Sequence, residues 1–274
     1  MPELPEVEVT RQGIEPFVCG YRIDKIICRP KTLRWPIPLK QLQSELQGQF
    51  VQSIKRRGKY LLFEMPSGFF VLHLGMSGFL RILPEFVPPQ KHDHVDFLFD
   101  SGRVLRFNDT RRFGALLWLG EQPFSHSLLA HLGIEPLEPE FNGQYLFQRA
   151  LKKKTSVKTY LMDQKTVVGV GNIYANEALF KAKIHPLRPS ASISLKEYQL
   201  LTKHIKLILK HAIKQGGTTL KDFSNADGKP GYFSQSLQVY GRADEPCLNC
   251  STPIQNIRVG QRSTYFCGKC QKGD

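Results

Sequence analysis

Four cysteines near the C-terminus follow the spacing Cys247-x2-Cys250-x16-Cys267-x2-Cys270. Two CxxC hooks joined by a short β-rich span can place four thiolates tetrahedrally around one Zn²⁺. Four sulfurs leave no position open for a reacting water, so this zinc folds a small module and does no chemistry. Two disulfides or a dithiol redox pair are the competing readings. The start Met1-Pro2-Glu3-Leu4-Pro5-Glu6 lacks a basic region and an apolar stretch, which argues for a cytosolic, reducing setting. Cys19 and Cys28 lie far from the cluster and read as buried thiols.

Two further segments carry chemistry-bearing residues. Gly169-Val170-Gly171-Asn172 leads into a helix start, where free N–H groups attract a phosphate. Asn172 either caps that helix or donates to the phosphate. Lys152, Lys153, Lys154 and Lys158 can line the same track, although a lysine run is more often a solvated face. Asp109-Thr110-Arg111-Arg112-Phe113-Gly114 follows a strand and sets Arg111 and Phe113 two apart, on one side. Together they suit a wedge replacing the stacking of an extruded base. The competing reading is a turn whose Phe113 packs in the core, and from this segment alone that plainer reading is favoured.

These residues need elements to hold them. Short Ile/Val/Leu/Phe-rich runs predict strands at Arg22–Cys28, Phe50–Lys55, Tyr60–Glu64, Phe69–His73, Phe79–Ile82, Val95–Phe99, Val104–Asn108 and Ala115–Leu119. Turn signals such as Pro66-Ser67-Gly68 and Asp100-Ser101-Gly102 break them, which points to a β-sandwich or barrel. A helix precedes them, with Pro5 in its first turn and Glu6 and Glu8 at its positive end. The proline-bearing stretch 133–139 marks a boundary, and the pattern then turns helical. One helix starts at Asn172 and runs to about Ala182. Ser194-x-x-Glu197 opens a longer one with Leu195, Tyr198, Leu201, Ile205, Ile208 and Ala212 on one face, ended by Gly216-Gly217. The 274 residues carry a net charge of +14, which favours a polyanionic partner, nucleic acid above all. No apolar run is long enough to cross a membrane.

Read in order, Pro2-Glu3-Leu4-Pro5-Glu6-Val7-Glu8, Arg56-Arg57-Gly58-Lys59-Tyr60, Lys91-His92-Asp93-His94, Arg111-Arg112-Phe113-Gly114, Val168-Gly169-Val170-Gly171-Asn172-Ile173-Tyr174 and the four-cysteine finger closely resemble the bacterial formamidopyrimidine-DNA glycosylase (MutM) family. The resemblance spans Pro2 to Cys270. It implies an α+β protein: an N-terminal helix with a two-layer β-sandwich (1–133), a helix–two-turns–helix domain (140–240) and a β-ribbon zinc finger (241–274). It also implies a monomer that binds duplex DNA in a cleft between domains, excises 8-oxoguanine and formamidopyrimidines, and nicks the strand by β,δ-elimination. Thr110 stands where many relatives carry proline, a departure expected to be harmless.

The resemblance assigns roles residue by residue. Pro2, freed by loss of Met1, is the amine nucleophile, and Glu3 beside it moves protons to and from the opening sugar. An α-amine titrates near 7.7–8.0, against about 10.4 for lysine, so a useful fraction is unprotonated at neutral pH. Attack on sugar C1′ gives an iminium that acidifies the C2′ proton. Lys59 resembles the β-elimination proton donor and Arg262 the finger arginine. Arginine is a poor acid, which favours phosphate binding for Arg262 over proton donation. His92 and Lys153 match DNA-binding positions, His73 and Asn172 resemble phosphate contacts, and Met76 joins Arg111 and Phe113 in the wedge. The glycine-rich stretch 216–232 is expected to order over the extruded base. Two other readings compete: an endonuclease VIII-like enzyme for oxidised pyrimidines, against which Leu4 argues, and a non-catalytic zinc protein that binds DNA.

Overall fold

The computed structural model describes residues 2–218 and 232–273. Most of the expected 216–232 stretch therefore lies outside the described residues. The chain packs as two compact units, Met1–Ala130 with Gln215–Ser234, and His131–Lys214 with Gln235–Asp274. The expected three-part division followed motifs; packing groups the zinc-finger residues with the helices before them.

The first unit opens with helix α1 (Leu4–Val18), then β1 (Ile23–Cys28), α2 (Leu39–Leu46), β2 (Ser53–Arg57), β3 (Tyr60–Met65), β4 (Gly68–His73), β5 (Phe79–Leu83), β6 (Asp93–Phe99), β7 (Val104–Asn108) and β8 (Ala115–Gly120). The strands form two antiparallel four-stranded sheets, β1-β6-β7-β5 and β2-β3-β4-β8. Alternating apolar positions turn inward from both. Phe63 stacks on Phe70 at 4.4 Å between ring centroids, and Phe70 on Phe97 at 5.4 Å, so the sheets meet through an aromatic seam. This is the expected sandwich. All eight strands fall where they were read; the second starts later, at Ser53, because Phe50 only bridges Arg22. Helix α2 was not anticipated. It is short, and only Leu42 and Leu46 are buried, too few positions to show a period.

One buried ionic network braces the first sheet. Arg106, 1 % exposed, donates to Asp96 at 2.7 and 2.8 Å and to Asp93 at 3.3 Å. It also donates to the carbonyls of Val87 and Pro88, which fixes the loop leading to Lys91 and His92. Removing one partner from such a pair strands a buried charge, at a cost of about 3–5 kcal/mol.

The second unit contains α3 (Gly143–Ala150), α4 (Val157–Met162), α5 (Asn172–Lys181), α6 (Leu195–Lys214) and the hairpin β9 (Gln255–Val259)–β10 (Arg262–Phe266). Helix α6 starts at the expected capping box: Ser194 N–H donates to Glu197 and Glu197 N–H to the Ser194 hydroxyl. It ends before Gly216 and Gly217, both left-handed at φ 75° and 79°. Its buried face is Tyr198, Leu201, Thr202, Ile205, Leu209 and Ala212. Leu209, four residues after Ile205, takes the inward place expected of Ile208, which sits on the flank. Helix α5 is buried from Ile173 to Phe180, as a central helix must be. Its Glu177 carboxylate accepts the backbone N–H groups of Gln238, Val239 and Tyr240 at 2.9–3.0 Å. Among the described residues no helix is long and apolar enough to cross a membrane.

Candidate active site and nucleic-acid interface

In the first unit the candidate catalytic residues Pro2 and Glu3 lie at the start of α1. Pro2 is buried and Glu3, 2 % exposed, is the N-cap. Glu6, one turn on, does the tying. One carboxylate oxygen accepts the Glu3 N–H at 2.9 Å, and the other accepts the Thr218 N–H at 2.9 Å and hydroxyl at 2.8 Å. Sequence reasoning read Glu6 only as a helix-dipole partner; no local pattern reports a bond across 212 residues.

Lys59 sits at the two-residue turn between β2 and β3, 6 % exposed, beside Gly58 at φ 57°. Arg56 joins this turn to α1: it donates to Glu8 at 2.9 Å and to the Gly58 carbonyl at 3.1 Å. The Glu8 carboxyl is held below its usual range by Arg11 and Arg56, against the opposing effect of its burial. Tyr60 and His73 pack ring to ring at 4.7 Å, one strand apart. Burial, with Lys59 and Arg34 nearby, drives His73 down to about 4. Gly75 N–H donates to His73 Nδ1 at 3.0 Å, so the neutral ring keeps its proton on Nε2, ready to donate.

Folding thus favours neutral His73. Its contribution to stability is complete above about pH 6.5 and drains as pH falls toward 4. In His73→Asn the thermal midpoint should fall less steeply between those pH values than in wild type. Identical slopes by calorimetry would contradict this.

The wedge candidates lie on two touching loops. Phe113 is 44 % exposed, which overturns the inward-packing reading. The Arg111 guanidinium lies 5.0 Å from its ring centroid, and Met76 is half-buried. Gly75 is required here: a Cβ would stand 2.4 Å from the Phe113 carbonyl carbon. His92 is half-buried at φ 74°, edge-on to His94 at 6.3 Å.

In the second unit Lys152, Lys153 and Lys154 are exposed, and the Lys153 carbonyl is pinned by Ser190 at 3.2 Å. Lys158 departs from expectation. It is 1 % exposed and donates to Thr264 Oγ1 at 2.6 Å and the Ser263 carbonyl at 3.1 Å. It therefore holds the finger strand instead of a phosphate track. Asn172 is the first residue of α5, with Gly171 as cap, and its amide donates to the same Ser263 carbonyl at 2.9 Å. Asn176 accepts Tyr265 N–H at 3.0 Å. Three side chains thus clamp β10. Exposed Arg262 heads that strand after the Gly260-Gln261 turn, whose φ values of 54° and 60° fit a tight hairpin.

The four cysteines converge. Their Sγ atoms lie within 4.8 Å of one another, with pairs at 3.5, 3.5 and 3.9 Å. Tetrahedral Zn–S bonds of about 2.3 Å set sulfurs roughly 3.8 Å apart, so the donors fit zinc. Burial and the neighbouring thiols push Cys270 up to about 12, as expected where a cation must offset crowded thiolates. Cys267 N–H donates to Gln271, whose amide reaches the Ile184 carbonyl at 2.9 Å, fixing the second hook to the helices.

Comparison with known proteins finds three family models in order along the chain. Residues 1–116 match the formamidopyrimidine-DNA glycosylase N-terminal domain, 132–224 its H2TH domain, and 244–273 the zinc finger found in FPG and IleRS. The formamidopyrimidine-DNA glycosylase of Escherichia coli O7:K1 is 57% identical over 272 residues, covering 99% of this chain and 100% of that protein. A Lactococcus lactis FPG mutant in complex with Fapy-dG-containing DNA superposes with a TM-score of 0.92 at 36% identity, covering 99% of this chain and 100% of that one. Wild-type Lactococcus lactis Fpg in complex with oxidised-pyrimidine-containing DNA gives 0.90 at 36% identity, with the same coverage. The three family models span most of the chain and the relatives cover nearly all of it, and the chain belongs to the formamidopyrimidine-DNA glycosylase family.

Proposed function

We infer that this chain is a base-excision-repair DNA glycosylase and AP lyase acting on oxidised purines in duplex DNA. The observation that carries the reading is the buried Pro2-Glu3 start of α1, in a chain 57% identical over its length to a formamidopyrimidine-DNA glycosylase. The reading requires loss of Met1, which would free the Pro2 amine beside Glu3. The zinc, held by Cys247, Cys250, Cys267 and Cys270, supplies folding energy alone.

In the proposed sequence the Pro2 amine attacks C1′ of the damaged nucleoside. The C1′–N bond breaks, the base leaves with a proton, and an iminium joins Pro2 to the opened sugar. Glu3 moves the proton of the sugar ring oxygen. Loss of the C2′ proton expels the 3′ phosphate and a second elimination expels the 5′ phosphate, with Lys59 serving the first as proton donor. Arg262 binds phosphate, and its proton-donor role in the second elimination is the weaker assignment. His73, through Nε2–H, and the second amide N–H of Asn172 serve phosphates near the extruded nucleotide. His92 and Lys153 serve flanking ones. Met76, Arg111 and Phe113 fill the vacated stack. The divisions 1–133, 140–240 and 241–274 then read as catalytic, DNA-holding and zinc-bearing parts. A monomer in the cytoplasm, on the nucleoid when bound to DNA, fits this work.

Oxidised pyrimidines form a second substrate class, favoured by the Lactococcus lactis complex with such DNA. Borohydride trapping on duplexes carrying 8-oxoguanine, a formamidopyrimidine or an oxidised pyrimidine tests both: an adduct with purine lesions supports the first reading, and none with any lesion leaves only a DNA binder.

A phosphate-led interface should be strongly salt-dependent. Each phosphate neutralised steepens log K against log[salt] by about 0.9, so Lys153→Ala should lower the slope by about that much. A flat salt response of the wild type would count against the interface.

A further inference from the structure

The exposed Phe113 ring and the Arg111 guanidinium above it need a rigid base, because a wedge that yields cannot hold a stack open. Beneath them lies Asp109, fully buried at the end of β7. Its Oδ2 accepts the Gly114 N–H at 2.8 Å. Its Oδ1 accepts the Ser77 hydroxyl at 2.7 Å and the Arg111 N–H at 3.2 Å. The Ser77 hydroxyl in turn accepts the Arg111 N–H at 3.0 Å. One carboxylate and one hydroxyl therefore bind both ends of the 111–114 loop and lock it to the loop that carries Met76.

The backbone repeats the constraint. A Cβ at Gly75 would meet Phe113 and Gly114 backbone atoms at 2.4–2.5 Å, and one at Gly114 would meet the Phe107 ring at 2.6 Å and the His73 carbonyl at 2.8 Å. His94 Nε2 donates to the Asp109 carbonyl at 2.7 Å, holding the hub to β6. Neither Asp109 nor Ser77 projects to the surface, so neither can touch the nucleic acid.

We propose that Asp109 and Ser77 are positioning residues for base extrusion, which set Met76, Arg111 and Phe113 as one rigid insert. The proposal rests on the wedge reading above. It makes extrusion depend on two buried residues that take no part in the covalent steps.

The test is single-turnover excision of 8-oxoguanine from duplex DNA, beside strand cleavage at a preformed abasic site. The variants are Ser77→Ala, Asp109→Asn, Phe113→Ala and the Ser77→Ala/Phe113→Ala double variant. Ser77→Ala removes a single oxygen and keeps the fold even where Asp109→Asn, which turns an amide against N–H donors, does not. Ser77→Ala should slow excision about tenfold, leave abasic-site cleavage within about twofold, and leave the affinity for undamaged duplex unchanged. The double variant should fall within about twofold of Phe113→Ala, since both act through one insert. Additive losses with a normal Phe113 dependence would overturn the positioning claim alone, as would equal losses in both assays or an unimpaired Ser77→Ala. Full excision by Phe113→Ala would overturn the wedge reading itself, and the proposal with it.

Discussion

Protein that keeps Met1, or carries an uncleaved N-terminal tag, is expected to form no borohydride-trapped adduct and to cleave no DNA. The acylated Pro2 nitrogen is a tertiary amide whose lone pair is delocalised, so it cannot attack C1′. Such protein should still bind zinc through its four converging cysteines. It should also bind DNA, somewhat more weakly, because the exposed lysines and Arg262 are untouched. Glu3→Gln separates the steps. The amine survives, so cleavage at a preformed abasic site persists, while base removal falls by about 10²–10⁴-fold with its proton carrier gone. Mass spectrometry reads the terminus directly. Intact Met1 in a fully active preparation would end the Pro2 mechanism and make Lys59 the leading nucleophile.

The second large effect is expected from the zinc ligands. Cys247→Ser or Cys267→Ser should lower zinc content and lesion-DNA affinity together, measured by metal analysis and by titration. Zinc binding in small fingers supplies about 10–16 kcal/mol of apparent free energy, far beyond what a hairpin this short can replace. The loss should stay local. Lys158, Asn172 and Asn176 hold β10 from the helical side, and the capping box and buried face of α6 do not involve the finger. Helical circular dichroism should therefore persist while the affinity owed to Arg262 falls. A variant without zinc that binds lesion DNA at full strength would show the finger to be dispensable.

The features that were legible in the residue order are those that depend on local spacing. The two CxxC hooks, the Ser194–Glu197 box and the strands broken by Gly68 and Gly102 all report on neighbours a few residues away. What was missed depends on distant partners. Lys158 reads as part of a basic run until Thr264 and Ser263, over a hundred residues on, turn it inward. Phe113 reads as core from its own segment and as a wedge residue only through the family resemblance; Asp109, Ser77 and Gly75 are what fix its loop with the ring exposed. Asp and Ser favour short-range bonds to backbone N–H groups, so the Asp109-to-Gly114 stretch carried a local signal of a side-chain-stapled turn. That signal could have been read; the link from Ser77 could not.

The bond between Glu6 and Thr218 bears on the order in which the protein can be made. The first unit is interrupted by roughly 80 residues that pack elsewhere, and its last described piece returns only at Gln215. During synthesis at about 5–20 residues per second, the sandwich waits roughly 4–16 s for that piece after its own strands have left the ribosome. Until then the Glu6 carboxylate lacks two of its donors, beside the proposed catalytic residues Pro2 and Glu3. A chain truncated between His131 and Lys214 would therefore hold every strand of the two sheets but lack the Thr218 donors that tie down Glu6 at the start of α1.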